Sequence, residues 1–123
     1  RQMCIRDRNR LFSPQTTELR NACLAKAHEL EMGIVAMKVL GAGMLGGFGK
    51  KELDALPGSA IRYVLQDDRI HMLTIGMRFP AEIDTNLKTF VGDTTYTNKD
   101  RALLAGVSAA VLDDENVKKM SVE

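Results

Sequence analysis

From Ile34 to Val39 every position except Lys38 is apolar. Such a run has no alternation that would leave one face wet. It predicts a strand buried on both faces, as in a parallel sheet. The run leads straight into a glycine-rich stretch containing Gly41, Gly43, Gly46, Gly47 and Gly49. A shorter apolar stretch, about Ile70–Ile75, predicts a second strand that ends in Gly76-Met77-Arg78.

Around these strands the apolar positions recur at helical spacing. Leu19, Ala22, Cys23, Lys26, Ala27 and Leu30 form one stripe, apolar except for Lys26, on a helix starting at Thr16 or Thr17. Gly33 is a natural stop for it. Lys51 to Leu56 reads as a short turn of helix, broken by Pro57-Gly58. Ser59 then caps a helix over Ala60–Gln66 that buries Ile61, Val64 and Leu65. Phe79-Pro80 opens a further helix, with proline suited to its first position. Ile83, Leu87, Phe90 and Val91 form its apolar face, and Gly92 ends it. Thr97-x-x-Asp100 is a capping-box start for a helix from Lys99 to about Val111. Asp113-Asp-Glu115 begins a short last helix through Met120. The charged C-terminal helices read as a solvated cover.

Helices alternating with strands predict an α/β fold. With 123 residues, 45% of them hydrophobic and 27% charged, the chain is sized for one small domain. A net charge of +1 gives no long-range field toward nucleic acid or an acidic membrane. Aromatics are only 5% and tryptophan is absent, which argues against base stacking. No apolar run approaches the ~20 residues of a membrane helix. Cys4 and Cys23 form neither a metal spacing nor a disulfide framework, so a reducing, cytoplasmic setting is expected.

The first residues, Arg1-Gln-Met-Cys-Ile-Arg-Asp-Arg8, fit no element of this pattern and lack a signal-peptide core. They resemble translated sequencing-adapter DNA. Residues 1–10 are therefore expected to be non-native, with the native N-terminal part of the protein lying upstream.

Several residues carry candidate chemistry. Ligands of parallel sheets and barrels collect at the carboxyl ends of the strands. Lys38 and the glycines after it occupy such an end and suit a phosphate-bearing ligand. Gly41-Ala-Gly43-Met-Leu-Gly46 matches the dinucleotide fingerprint G-x-G-x-x-G, but Gly47 and Gly49 oppose the helix start that the fingerprint requires. A flexible loop over a ligand and a plain surface loop both remain. Gly76 and the start of the helix at Pro80 form an anion site of free backbone N–H groups, to which Arg78 can add a clamp. His28, beside Glu29 and Glu31, reads as a solvated residue. Tyr63 reads as packing, and Asp67-Asp68 as a solvated turn.

Three ordered blocks resemble one family. Gly33-Ile-Val-Ala-Met-Lys-Val-Leu-Gly-Ala-Gly43 is similar to the seventh strand and following loop of aldo/keto reductases, in the branch with Met-Lys before a Pro-Leu-Gly-Gly-Gly-type loop. Ala60-Ile-Arg-Tyr-Val-Leu65 resembles the helix before their last strand. Thr74-Ile-Gly-Met77 through Glu82-Ile-Asp-Thr-Asn86 resembles that strand and the start of the cofactor-binding helix. The likeness spans roughly residues 16 to 91.

The resemblance implies a C-terminal fragment of a (β/α)8 TIM barrel, with residues 11–92 as barrel and 93–123 as a helical extension. It implies an NAD(P)H-dependent enzyme that reduces a small-molecule carbonyl substrate, with no nucleic-acid or membrane partner. By the same likeness Lys38, Leu40, Gly41 and Gly43 lie over the pyrophosphate. Gly76, Met77 and Arg78 lie near the adenosine phosphate, and Glu82 and Asn86 face the ribose and adenine. Val39 stands where proline is usual. Glu82 stands where an arginine is common and would repel a 2′-phosphate, which leaves NADP and NAD both open. The family's catalytic Asp, Tyr, Lys and His have no counterparts here. The second expectation is a stand-alone, non-catalytic nucleotide- or phosphate-binding α/β module.

Overall fold

The computed structural model describes residues 2–6, 14–40 and 54–113. The elements in chain order are β1 (Gln2–Arg6), α1 (Pro14–Glu29), β2 (Gly33–Met37), α2 (Leu56–Leu65), β3 (Met72–Thr74), α3 (Pro80–Val91) and α4 (Asn98–Asp113). The strands form a parallel sheet in the order β1-β2-β3. The α/β expectation thus holds. Gln2–Arg6 is an exception to the reading that the first residues fit no element: it pairs along β2, with Met3 opposite Ile34. The short last helix expected through Met120 lies outside the described residues.

The central strand β2 buries Ile34, Val35 and Ala36 in succession, as the unbroken apolar run requires. Ile34 and Ala36 share one face and open two core clusters. Ile34 packs with Leu24 and Ala27 of α1. Ala36 and Val39 pack with Ala60 and Val64 of α2, and Leu73 and Ile75 join them from the β3 side. Met37 lies opposite Thr74. On the opposite face of the sheet, Met72 is 57% exposed and Thr74 is also exposed.

Three helices depart from the expected pattern. The first, α1, begins at Pro14, so Thr16 and Thr17 lie inside it rather than capping it. It buries Leu24 and Ala27, while Leu19, Ala22, Cys23, Lys26 and Leu30 of the expected stripe are exposed. The second, α2, begins at Leu56, and Pro57-Gly58 sits in its first turn instead of breaking it. Proline lacks an N–H that the first turn does not use. A Cβ on Gly58 would lie 3.2 Å from Thr89 Oγ1, so the missing side chain lets α3 come close. Ser59 is buried within α2 and is not its cap.

The third departure is α3. It starts and stops where expected, and Gly92 closes it with an N–H to Lys88 O bond of 3.1 Å. Its apolar stripe, however, is largely uncovered: Ile83 is 44%, Leu87 53% and Phe90 41% exposed. Asn86 is its buried residue.

Candidate functional site

The C-terminal end of β2 is built by an abrupt change of backbone. Met37 is the last strand residue, and Lys38 adopts a left-handed conformation at φ 55°. The turn carries the chain away from the sheet, while Val39 and Leu40 return to the core beside α2. Lys38 is half-buried, and no hydrogen bond or ion pair joins its ammonium to another described residue. Leu40 packs against the second core cluster. Gly41 and Gly43, with the rest of the glycine-rich stretch, lie outside the described residues.

The neighbouring strand β3 is shorter than the expected Ile70–Ile75 and ends at Thr74; Gly76-Met77-Arg78, which follow Ile75, are all exposed. A Cβ on Gly76 would meet nothing within 4 Å. The backbone here is therefore open, with room for a ligand to approach. Met77 stands with Leu73 and Ile75 on one side of an apolar cleft of about 150 Å³, and Ile83, Leu87 and Phe90 of α3 form the other side. Asn86 is the polar group in its lining.

The N-terminus of α3 differs from the free anion site expected from the sequence. The Glu82 side chain folds back over it, and Oε2 accepts the N–H of Arg78 at 2.5 Å and that of Phe79 at 3.2 Å. Phe79 has no acceptor to return the bond, so only the carboxylate arm of a capping box exists. These backbone donors hold the Glu82 carboxyl below its ordinary range. The anion at this helix start is thus the chain's own, and an incoming phosphate would have to displace it.

Of the nine residues selected from the sequence, the structure links Arg78 to Glu82 and brings Met77 and Asn86 to one cleft. It puts Lys38 at the end of the strand beside them. Leu40 stands apart as a packing residue. The sequence did not reveal the positive φ at Lys38, because lysine gives no signal for a left-handed position.

A second polar cluster joins α2 to α4. Thr97 and Asp100 form the expected capping box: Asp100 N–H donates to Thr97 Oγ1 at 3.2 Å, and Thr97 N–H to Asp100 Oδ2 at 2.8 Å. The same carboxylate accepts Ser59 Oγ–H at 2.6 Å and the Arg62 guanidinium, whose Nε lies 3.2 Å from Oδ2. Arg62, then Ser59 and Thr97, hold the Asp100 carboxyl far below the usual carboxylate range, and Asp100 raises the Arg62 guanidinium in return. Asp100 is 4% exposed, which corrects the expectation of a wholly solvated helical cover. Tyr63 packs against Tyr96 in a tilted arrangement, with ring centroids 5.5 Å apart, consistent with packing. The Asp67-Asp68 pair divides. Asp68 is exposed, but Asp67 has a nearly buried side chain that holds Arg69 at 2.8 and 2.7 Å.

Among the described residues no group of His, Cys, Asp and Glu could hold a metal, and no helix is long and apolar enough to cross a membrane. No known protein family matches the chain, nor does any curated protein or solved structure.

Proposed function

We propose that this chain is the cofactor-gripping, C-terminal part of an NAD(P)H-dependent aldo/keto reductase barrel that reduces a small carbonyl substrate in the cytoplasm. One observation carries the proposal. Two neighbouring parallel strands have helices packed on one face and are followed by Lys38, which has no partner among the described residues, and by the open backbone of Gly76, at the end where such sheets bind ligands. The three ordered sequence blocks support the same assignment.

When bound, such a cofactor would supply hydride chemistry toward a carbonyl carbon, and the tyrosine and lysine that would handle the proton would lie elsewhere in the barrel. This chain's own part is grip. Lys38 offers a positive charge to the pyrophosphate. Gly76 lets backbone approach it, and Glu82 faces the adenosine ribose. Glu82 separates the two cofactors. Glu82 already fills the α3 N-terminus, so a 2′-phosphate meets a carboxylate, while a ribose 2′-hydroxyl can donate to it. The arrangement favours NADH.

The test is calorimetric titration of the chain with NADH and NADPH, together with the coding sequence upstream of Leu11. The expected results are tighter NADH binding, by about tenfold, and upstream βα units carrying Asp, Tyr, Lys and His. An upstream frame without these four residues would sink the enzyme. A second reading, a stand-alone phosphate-binding module, is favoured by the Asp100 cluster and the two core clusters, which close within this chain.

A further inference from the structure

The strand β3 is only three residues long, and it is held to β2 by three register pairs, Val35 with Met72, Ala36 with Leu73 and Met37 with Thr74. One further contact extends the pairing at its amino end, and half of that contact is a side chain. His71 N–H donates to Ile34 C=O at 2.9 Å. Ile34 N–H donates in return to Nδ1 of the His71 ring at 3.1 Å. In a regular parallel ladder that N–H would meet the carbonyl two residues before His71, that of Arg69. There the chain is still turning, with Ile70 N–H bonded to Asp67 O at 3.0 Å. The imidazole thus stands in for a backbone carbonyl.

This replacement has a chemical condition. Ile34 is fully buried, so its N–H has no water to turn to if the ring withdraws. Nδ1 accepts only while it carries a lone pair, which requires a neutral ring with its proton on Nε2. Protonation would turn Nδ1 into a donor facing a donor. His71 itself is exposed, so protons from solvent reach the ring. The charged groups on the segments that meet here are His28, Glu29 and Glu31 around the end of α1, and Asp67, Asp68 and Arg69 in the turn before β3. Asp67 is held by Arg69, and the ring's own bond is to Ile34.

We infer that His71 is a pH-sensitive latch on β3: the neutral ring closes the amino end of the β2–β3 pairing, and the protonated ring releases it. The latch stands apart from the cofactor reading. It acts on the strand that carries Leu73, and beyond it Ile75 and Met77, into the apolar cleft, so acidification loosens one wall of that cleft. The bond's contribution is complete above the ordinary imidazole value of about 6.5 and is lost as pH falls below it, because the released and unfolded forms take up the proton more readily. The Asp100 cluster gives way only below about pH 4, so the two windows are separate.

The test is amide hydrogen exchange of the 123-residue chain, followed by NMR from pH 7.5 to 5 and corrected for the intrinsic rate at each pH. Protection of the Ile34 amide should fall about tenfold across that range. His71→Asn puts Oδ1 where Nδ1 stands and accepts at every pH, so its Ile34 protection should match the parent's at pH 7.5 and stay level to pH 5. His71→Leu has no acceptor and should show the low protection at both ends. His28→Gln removes the chain's other histidine and should keep the parent's fall. A parent whose Ile34 protection holds to pH 5 overturns the inference. So does a fall that survives His71→Asn or vanishes in His28→Gln, and so does a His71→Leu chain as well protected at pH 7.5 as the parent.

Discussion

At the scale of single residues the decisive group is Asp100. Its carboxylate closes the α4 capping box and is also the shared acceptor for Ser59 and Arg62 of α2. Removing it leaves a part-buried guanidinium, the buried Ser59 hydroxyl and the Thr97 N–H and hydroxyl without their carboxylate acceptor. Asp100→Ala should therefore destabilise the chain by about 3 kcal/mol, measured by urea unfolding. The pH dependence has a definite sign. The folded carboxyl is held well below the ordinary value of about 4. Its contribution is therefore complete above about pH 4 and is lost as pH falls below that. Asp100→Asn should be less stable at pH 7 and should have a flatter acid limb; equal slopes for the two proteins below pH 4 would refute this. The capping half of the cluster was legible, because Thr97-x-x-Asp100 is a local signature. The tertiary half was not, since Ser59 and Arg62 lie 41 and 38 residues away from Asp100 and no local pattern encodes that pairing.

At the scale of elements, type was legible and the buried face was not. The central strand declared itself because an unbroken apolar run has few other homes. In α1 two stripes compete, and only contact with Ile34 selects the one holding Leu24 and Ala27. In α2 the expected Pro57-Gly58 break fails because both residues suit a first turn packed closely on α3. The N-terminus of α3 shows the same limit: sequence gives the donors, but the carboxylate that fills them is a matter of rotamer. Glu82→Gln tests that closure. Its thermal midpoint should fall at pH 7, and the gap to the parent should narrow as pH drops below the ordinary glutamate value of about 4.3 and close only as the depressed parent carboxyl is itself protonated. The same substitution should narrow the preference for NADH over NADPH in calorimetric titrations. An unchanged midpoint and an unchanged preference would mean that Glu82 neither caps the helix nor screens the cofactor.

At the scale of the whole molecule, the regular apolar face of α3 is largely uncovered. Ile83, Leu87 and Phe90 border an apolar cleft beside β3, which is an edge strand with unpaired backbone groups among the described residues. Exposed apolar surface next to an open edge invites association. The two functional readings assign this face differently. If the chain is part of a barrel, further βα units cover the face in the intact protein; if it is a stand-alone module, the face is ordinary surface. The substitution Leu87→Glu separates them. In the 123-residue chain Leu87 is 53% exposed, so a charge there should leave the thermal midpoint within about 2 °C and raise the monomer fraction in sedimentation velocity. In the longer protein encoded with its upstream units, the same charge would be buried, and the midpoint should fall by about 8 °C or more. A fall of that size in the long protein, with none in the short chain, is the outcome the barrel requires. Equal tolerance in both would leave the cleft as solvent-facing surface and favour the module.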